Sequence, residues 1–341
     1  MQAKQRIASI DVARGLVMLV MTVDHVRETF FMQHQVSDPM DVAATSPALF
    51  FTRLAAHFCA PMFVFLTGLS AWLYAHPAPG TRDPTGFLVK RGLFLIALEI
   101  VVINFAWTGT FTPAILYLQV IWAIGVAMLA LALLHRLPLA VVAALGLLIA
   151  GGHNALAGVA FAPGSVGAIA WTILEQRGFL TDGALRIKAS YPVLAWIGVI
   201  LLGYACGPLF AQGRAPAQRR RWLAVAGSVC LVLLGALRTA NGYGEPVPWA
   251  PQADALHAAM AYLNFTKYPP SLDFLLLTLG CGLLVLAALE NRANACTRCA
   301  AVYGGAPLLY YILHLYLLLA MGRSAAVALD VPRADVDAVW Q

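Results

Sequence analysis

Charge is what this sequence has least of. Only 11% of its 341 residues are Asp, Glu, Lys or Arg, while 61% are hydrophobic. Soluble globular chains carry roughly 25% charge, so neither a soluble globular domain nor a disordered chain fits, and mean hydropathy is +0.77. Four catalytic signatures are also missing: no Walker A loop, no Gly-x-Gly-x-x-Gly at a strand-to-helix turn, no His-Glu-x-x-His and no Gly-x-Ser-x-Gly. P-loop, dinucleotide, zinc-protease and α/β-hydrolase chemistry therefore lose their usual sequence support. Six cysteines make no disulfide framework. Cys59, Cys206, Cys230 and Cys281 lie in apolar runs, and Cys296 and Cys299 form one Cys-x-x-Cys in a short loop. Without a second pair, two reduced thiols are expected there rather than a zinc site. The spacing of Asp24, His25 and His57 matches no metal signature, so no metal is assigned.

The apolar residues come in runs near twenty long, the length that crosses a hydrocarbon core. Alternation of the membrane-barrel kind is absent. The fold class is all-α, a polytopic transmembrane helical bundle forming one domain over residues 1–341. About nine spanning segments are predicted: 7–30, 49–75, 87–107, 113–134, 137–153, 190–211, 221–238, 271–290 and 301–322. Gly146, Gly151 and Gly152 make the fifth the weakest helix. No internal repeat, low-complexity tract or separate soluble domain is evident.

The net charge of +6 and pI near 9.1 do not point to nucleic acid, because the cations cluster in short loops. Lys4 and Arg6, Arg82, Lys90 and Arg91, Arg136, Arg214 with Arg219–Arg221, and Arg292 with Arg298 all fall on one side if the N-terminus is cytoplasmic. The opposite side receives an acidic loop, 31–48 with Asp38 and Asp41, and two long loops, 154–189 and 239–270. Trp171, Tyr243, Trp249 and Tyr262 in those long loops suit interfacial anchors or the cover of a site. The N-terminus lacks the small-residue cleavage site of a secretory signal, because its apolar run continues into Asp24 and His25.

The first segment is where chemistry concentrates. It carries Asp11, Arg14, Asp24, His25, Arg27 and Glu28, and ionisable groups within a membrane helix are functional candidates. Arg14 and His25 are eleven residues apart, so they share a helix face within roughly 20° and lie about 16 Å apart along the axis. Arg53 and His57 share a face of the second segment, and Lys267 opens the eighth. These three stretches place a carboxylate, two imidazoles and two cations at similar depth. His25 suits a general base or an acyl carrier. Asp24 points about 100° away from it on an ideal helix and is free to pair with Arg53 or Arg27. Arg53, His57 and Lys267 are candidates for acceptor or carbonyl-oxygen contacts. Arg14 either pairs with Asp11 or holds an anion entering from the cytoplasm. Glu99, Gln119 and His314 are expected cavity-lining groups, with Arg14 or Arg91 as a partner for Glu99.

The segments SIDVARG (9–15), DHVRETF (24–30), AHFCAP (56–61), FVFLTGLSAWL (63–73), LQVIWAIG (118–125), YPVLAWIGVILLGYACG (191–207) and KYPPSLDFLLLTLG (267–280) resemble the heparan-α-glucosaminide N-acetyltransferase catalytic-domain family, in its bacterial integral-membrane branch. Arg14 and His25 match the Arg-x10-His spacing of the wider transmembrane acyltransferases. The resemblance implies acyl transfer, typically acetyl from acetyl-CoA, to a sugar or glycoconjugate acceptor across the membrane. It implies His25 as base or acyl carrier, Asp24 beside the site, and Arg14 with Asp11 on the donor path. Acyl-CoA is then a donor substrate and no bound cofactor is expected. The bacterial branch implies the inner, cytoplasmic membrane. The region around DHVRETF departs from the lysosomal enzyme, so its glucosamine specificity is not carried over. Relatives have one or more further C-terminal helices, so the domain is expected to lack one before Gln341. Homo-oligomerisation stays open. Two other classes fit intramembrane ionisable residues: a secondary or proton-coupled transporter, which should show matched broken-helix repeats, and a non-catalytic protein whose polar residues knit helices together.

Overall fold

The computed structural model describes residues 7–30 and 40–328. The N-terminal cations Lys4 and Arg6, and Asp38 of the acidic loop, lie outside the described residues. In order, the elements are α1 (Ala8–Phe30), α2 (Pro47–Ala56), α3 (Cys59–Ala75), α4 (Thr85–Leu98), a π turn (Glu99–Ile103), α5 (Asn104–Thr108), β1 (Ile115–Leu118), α6 (Val120–Leu134) and α7 (Leu139–Gly152). There follow α8 (Val166–Leu174), β2 (Gly178–Phe179), β3 (Arg186–Ala189), α9 (Leu194–Ala205), α10 (Pro216–Ala240), α11 (Ala255–Tyr262), α12 (Leu272–Leu289), α13 (Ala295–Gly304) and α14 (Pro307–Ala328).

Two prolines divide segments that read as single helices. Pro61 has no N–H to offer the carbonyl of His57 and its ring crowds that carbonyl. The chain accordingly turns at His57–Phe58 between α2 and α3. Pro307 cannot bond to Tyr303 either, and the expected span 301–322 becomes α13 and α14, with the long helix running from Pro307 to Ala328. The Cys-x-x-Cys pair is therefore helical rather than in a loop, since Cys296 and Cys299 lie within α13. Asn294 caps that helix in a capping box with Thr297.

Among the described residues, five stretches are long and apolar enough to cross a membrane: Pro47–Ala75, Leu139–Leu156, Pro216–Ala240, Leu272–Leu289 and Pro307–Ala328. α7 forms despite its glycines. α6 and the stretch Leu194–Phe210 are apolar but shorter. Residues 113–118, expected to open a spanning helix, instead supply β1. Val225, Val229 and Val232 of α10 and Leu313 and Leu317 of α14 turn outward. An outward apolar flank on long helices is what lipid contact requires.

α3 is the hub. Twelve of its residues are buried, including Met62, Val64, Phe65, Leu66 and Leu69, and it packs on α1, α6, α9 and α12. Backbones approach closely where glycines allow it. A Cβ on Gly304 of α13 would stand 1.7 Å from the Asp11 carbonyl oxygen of α1. That contact clamps α13 along the first helix, as small residues do in membrane bundles. At the opposite end of α1, the two long loops are ordered rather than irregular. One holds α8, β2 and β3, and the other holds α11. β1 pairs with β3 in parallel and β3 with β2 antiparallel, with Tyr117 opposite Lys188 and Leu118 opposite Ala189. Met260 of α11 joins Phe50 of α2 and Met40 in a small apolar cluster that fastens this cover down.

Candidate active site

His25 stands in the last turns of α1, one turn from Met21 on a buried stripe. Its Nδ1 lies 2.8 Å from Nε2 of His314 on α14, and His314 Nδ1 lies 2.9 Å from the Tyr310 carbonyl oxygen. A carbonyl only accepts, so His314 Nδ1 carries the proton and its Nε2 accepts. His25 Nδ1 must then donate, which leaves the lone pair on His25 Nε2. In the neutral imidazole, Nε2 is therefore the basic nitrogen. Trp107 meets the His25 ring edge-on at 5.1 Å and Tyr311 at 6.1 Å, while the His314 ring lies nearly parallel with its centroid at 5.0 Å. Trp107 is delivered by α5 after the π turn. Asn104, at that turn, donates to the Glu99 and Tyr117 carbonyls and accepts from Tyr117 N–H, bracing β1.

Asp24 points away from its neighbour, as helix geometry demands, and meets both arginines expected of it. Arg27 reaches one oxygen at 2.6 Å and Arg53 the other at 2.7 Å. Glu28 lies 3.1 Å from Arg53 and 3.5 Å from Arg27. Two cations and two carboxylates make a balanced cluster, and such charges are tolerated away from water only when paired. The cluster locks α2 against α1 beside His25.

Two cavities meet at this point. The wider one, about 1070 Å³, is walled by Asp24, His25, Arg53, His57 and Gln119, and by Lys188, Tyr191, Trp249 and Lys267 from the later loops. Alternation along the strands explains part of its lining. Tyr117 leads to Gln119 two residues on, and Lys188 leads to Ser190, so each pair shares a face. The narrower cavity holds about 150 Å³ and is lined by Asp24, His25, Thr67, Arg91, Leu95, Gln119, Ile124, Met128, Tyr191 and Lys267, among others. It extends along α6 from Gln119 to Met128, nine residues or about 13 Å. Asp24, His25, Gln119, Tyr191 and Lys267 belong to both. Arg91 also borders a separate surface groove of about 590 Å³ with Tyr74, Gly86, Phe87, Lys90 and Phe94. There Tyr74 and Phe87 stack at 4.2 Å, and the Arg82 guanidinium lies 4.6 Å over the Tyr74 ring.

Of the residues singled out in the sequence, His25, Asp24, Arg53, His57, Lys267 and Gln119 come together at the wider cavity. His57 is 1% exposed and packs on Phe274. Arg14 and Asp11 do not line either cavity. Arg14 donates to Ser70 Oγ at 2.5 Å and to the Leu66 carbonyl, with Asp11 3.4 Å away. It ties α1 to α3 behind the wall that carries Thr67. Glu99 and His314 also stand behind the lining. Glu99 has no arginine partner among the described residues. Its Oε2 accepts from the Trp122 N–H at 3.1 Å, because the π turn rotates it toward the start of α6 and away from Arg14 and Arg91. Sequence reading passed over Tyr191, Trp107 and Tyr311, which look like ordinary apolar-segment aromatics. It counted Arg91 as a loop cation and a partner for Glu99, not as a cavity residue.

A family model described as heparan-alpha-glucosaminide N-acetyltransferase, catalytic, matches residues 6–237, more than half of the chain. No curated protein matches the sequence. The matched range holds Asp24, His25, Arg53, Arg91 and Tyr191, and it ends before Lys267 and His314. The chain is thus an integral membrane protein that belongs to the heparan-alpha-glucosaminide N-acetyltransferase catalytic-domain family.

Proposed function

We propose that this protein transfers an acyl group, acetyl in the first instance, from acyl-CoA to a hydroxyl or amine of a sugar or glycoconjugate acceptor on the other side of a bacterial inner membrane. The observation that carries this reading is the meeting of a narrow and a wide cavity at one neutral histidine, His25. A pantetheine arm is long and thin, and the lining of the smaller cavity runs from Arg91 to His25. The nucleotide end would rest in the groove at Arg91, where Lys90 and Arg82 offer charge to phosphates and Tyr74 and Phe87 offer a ring face. The donor-side duty expected of Arg14 falls in this reading to Arg91, and Arg14 holds the α3 wall. With the cation-bearing short loops taken as cytoplasmic, that groove opens to the cytoplasm. In this reading the chain crosses nine times, with α1, the α4–α5 stretch, α6 and α9 joining the five longer apolar spans.

The acceptor enters the wide cavity. His25 Nε2 takes the proton from its hydroxyl or amine as that atom attacks the thioester carbonyl carbon. The carbonyl oxygen gains negative charge and Lys267, common to both cavities, stabilises it. Collapse breaks the carbon–sulfur bond, and the proton held on His25 leaves with the CoA thiolate. Atoms and charge balance without a metal, a redox step or an acyl-enzyme.

The test is purified protein in detergent given labelled acetyl-CoA, with glucosamine as the acceptor probe. CoA release and product labelling are followed for wild type and His25→Ala. Turnover in wild type and its loss in a folded His25→Ala protein are expected. Full turnover in the variant removes His25 from the mechanism, and a wild type that binds no acetyl-CoA shifts weight to transport.

A further inference from the structure

The wide cavity carries more positive charge than its own carboxylates neutralise. Asp24 and Glu28 are engaged by Arg27 and Arg53. Asp41 accepts from the Ala43 N–H. Arg238 is spent on the backbone carbonyls of Val247, Ala261, Tyr262 and Asn264. Arg177, Lys188 and Lys267 remain. Among the described residues none of the three forms an ion pair, and all three line the cavity.

These cations come from separate stretches brought to one place. Lys188 lies on β3 with its side chain on the cavity face. Arg177 sits in the turn before β2, and Lys267 precedes α12. Arg177 and Lys267 approach the same ring, with Arg177 Cζ 5.0 Å and Lys267 Nζ 5.3 Å from the Tyr268 centroid. Burial, together with Arg177 and Arg186 nearby, pulls the Lys188 ammonium below lysine's ordinary value. Arg177 and Lys188 repel each other with no ion-pair partner among the described residues, and an incoming anion relieves that repulsion. Tyr268 donates to the Tyr191 hydroxyl at 3.2 Å. Tyr191 lines both cavities, so the cationic cluster is coupled through that pair to the wall around His25.

We propose that Arg177 and Lys188 form an oxyanion-binding subsite for the acceptor, which therefore bears a phosphate ester or a carboxylate away from the atom that is acylated. The inference rests on the acyl-transfer reading for the word acceptor. The charge geometry stands without it.

The experiment measures binding of three probes sharing one ring, methyl glucoside, glucose 6-phosphate and glucuronate, to the full-length purified protein by calorimetry at low salt. Expected is binding of at least one charged probe about tenfold or more tighter than methyl glucoside, weakening as salt rises. The preference should disappear in the Arg177→Gln/Lys188→Gln double variant and persist in Arg186→Gln, whose side chain does not line the cavity. A preference for phosphate identifies a phosphorylated acceptor, and one for carboxylate an acidic sugar. Equal binding of all three probes, no binding of either charged probe, or an undiminished preference in a folded double variant overturns the subsite. CoA release from acetyl-CoA by wild type is read in the same preparation. Release without anion preference refutes the subsite and leaves acyl transfer standing. Anion preference in a protein that never releases CoA refutes acyl transfer and leaves the anion site.

Discussion

His314→Phe isolates what the second histidine does. Phenylalanine keeps a flat ring beside His25, whose ring centroid lies 5.0 Å from that of His314, and against Tyr311 at 5.6 Å. It removes the one acceptor, Nε2, that lies 2.8 Å from His25 Nδ1. A buried donor left without a partner costs about 1–3 kcal/mol. His25 escapes that cost by moving its proton to Nε2, the nitrogen that must be basic for catalysis. A bias of that size lowers the useful tautomer by roughly 5- to 150-fold. The expected result is a fall in kcat of about 10- to 100-fold, with the KM for acetyl-CoA within about twofold of wild type, because His314 does not line the narrow cavity. His314→Gln offers an amide oxygen as acceptor and should recover part of the loss. Steady-state CoA release with a thermal-unfolding control decides it. A folded His314→Phe protein with wild-type kcat, or a variant whose whole defect lies in KM, refutes the tautomer argument.

Other expectations follow from the same geometry. Met128→Trp, placed on the wall of the narrow cavity, should abolish acetyl-CoA-dependent labelling while acceptor-side sugar binding persists. Retained donor turnover would show that the acyl-CoA arm takes another route. Asp24→Asn removes the carboxylate charge shared by Arg27 and Arg53, whose side chains are only 11% and 14% exposed. About 3–5 kcal/mol of stability should be lost, read as a lowered unfolding temperature in detergent, and an unchanged temperature would contradict the balanced-cluster account. Gly304→Leu places side-chain atoms where the α1 backbone already lies, so little monodisperse protein should survive size-exclusion chromatography. In the loop before α4, hydrogen bonds from the Thr85 hydroxyl and N–H and from Arg136 hold the Asp83 carboxyl well below the usual carboxylate range. Its folded-state value is depressed, so its contribution is fully present above about pH 4 and fades on acidification below that. Asp83→Asn should flatten the acid limb of an unfolding-temperature profile, and two superimposable profiles would refute the linkage.

What could be read from the chain was what periodicity carries. A 3.6-residue repeat puts Asp24 and His25 on divergent faces of α1, and both then met the kinds of neighbours that this divergence implied. Depth matching brought Arg53, His57 and Lys267 to the level of His25, and tertiary packing made that level a shared cavity. What periodicity does not carry was lost. His314 is 289 positions from His25, and nothing local marks it as that residue's acceptor. The parallel pairing of β1 with β3 joins residues some seventy positions apart, so 113–118 read as the start of a helix when its apolar run was in fact half strand. The breaks at His57–Phe58 and before Pro307 were legible in principle, because a proline withdraws one specific hydrogen bond, but continuous apolarity outweighed that signal. Arg14 shows the converse. Its spacing from His25 suggested a donor contact, yet one turn of Ser70 and the Leu66 carbonyl already satisfy much of its guanidinium. Spacing along a helix fixes which face a side chain occupies. Only what packs against that face decides whether it meets a cavity or a wall, and here α3 supplies a wall to Arg14 while α5, α14 and the later loops frame the cavity at His25.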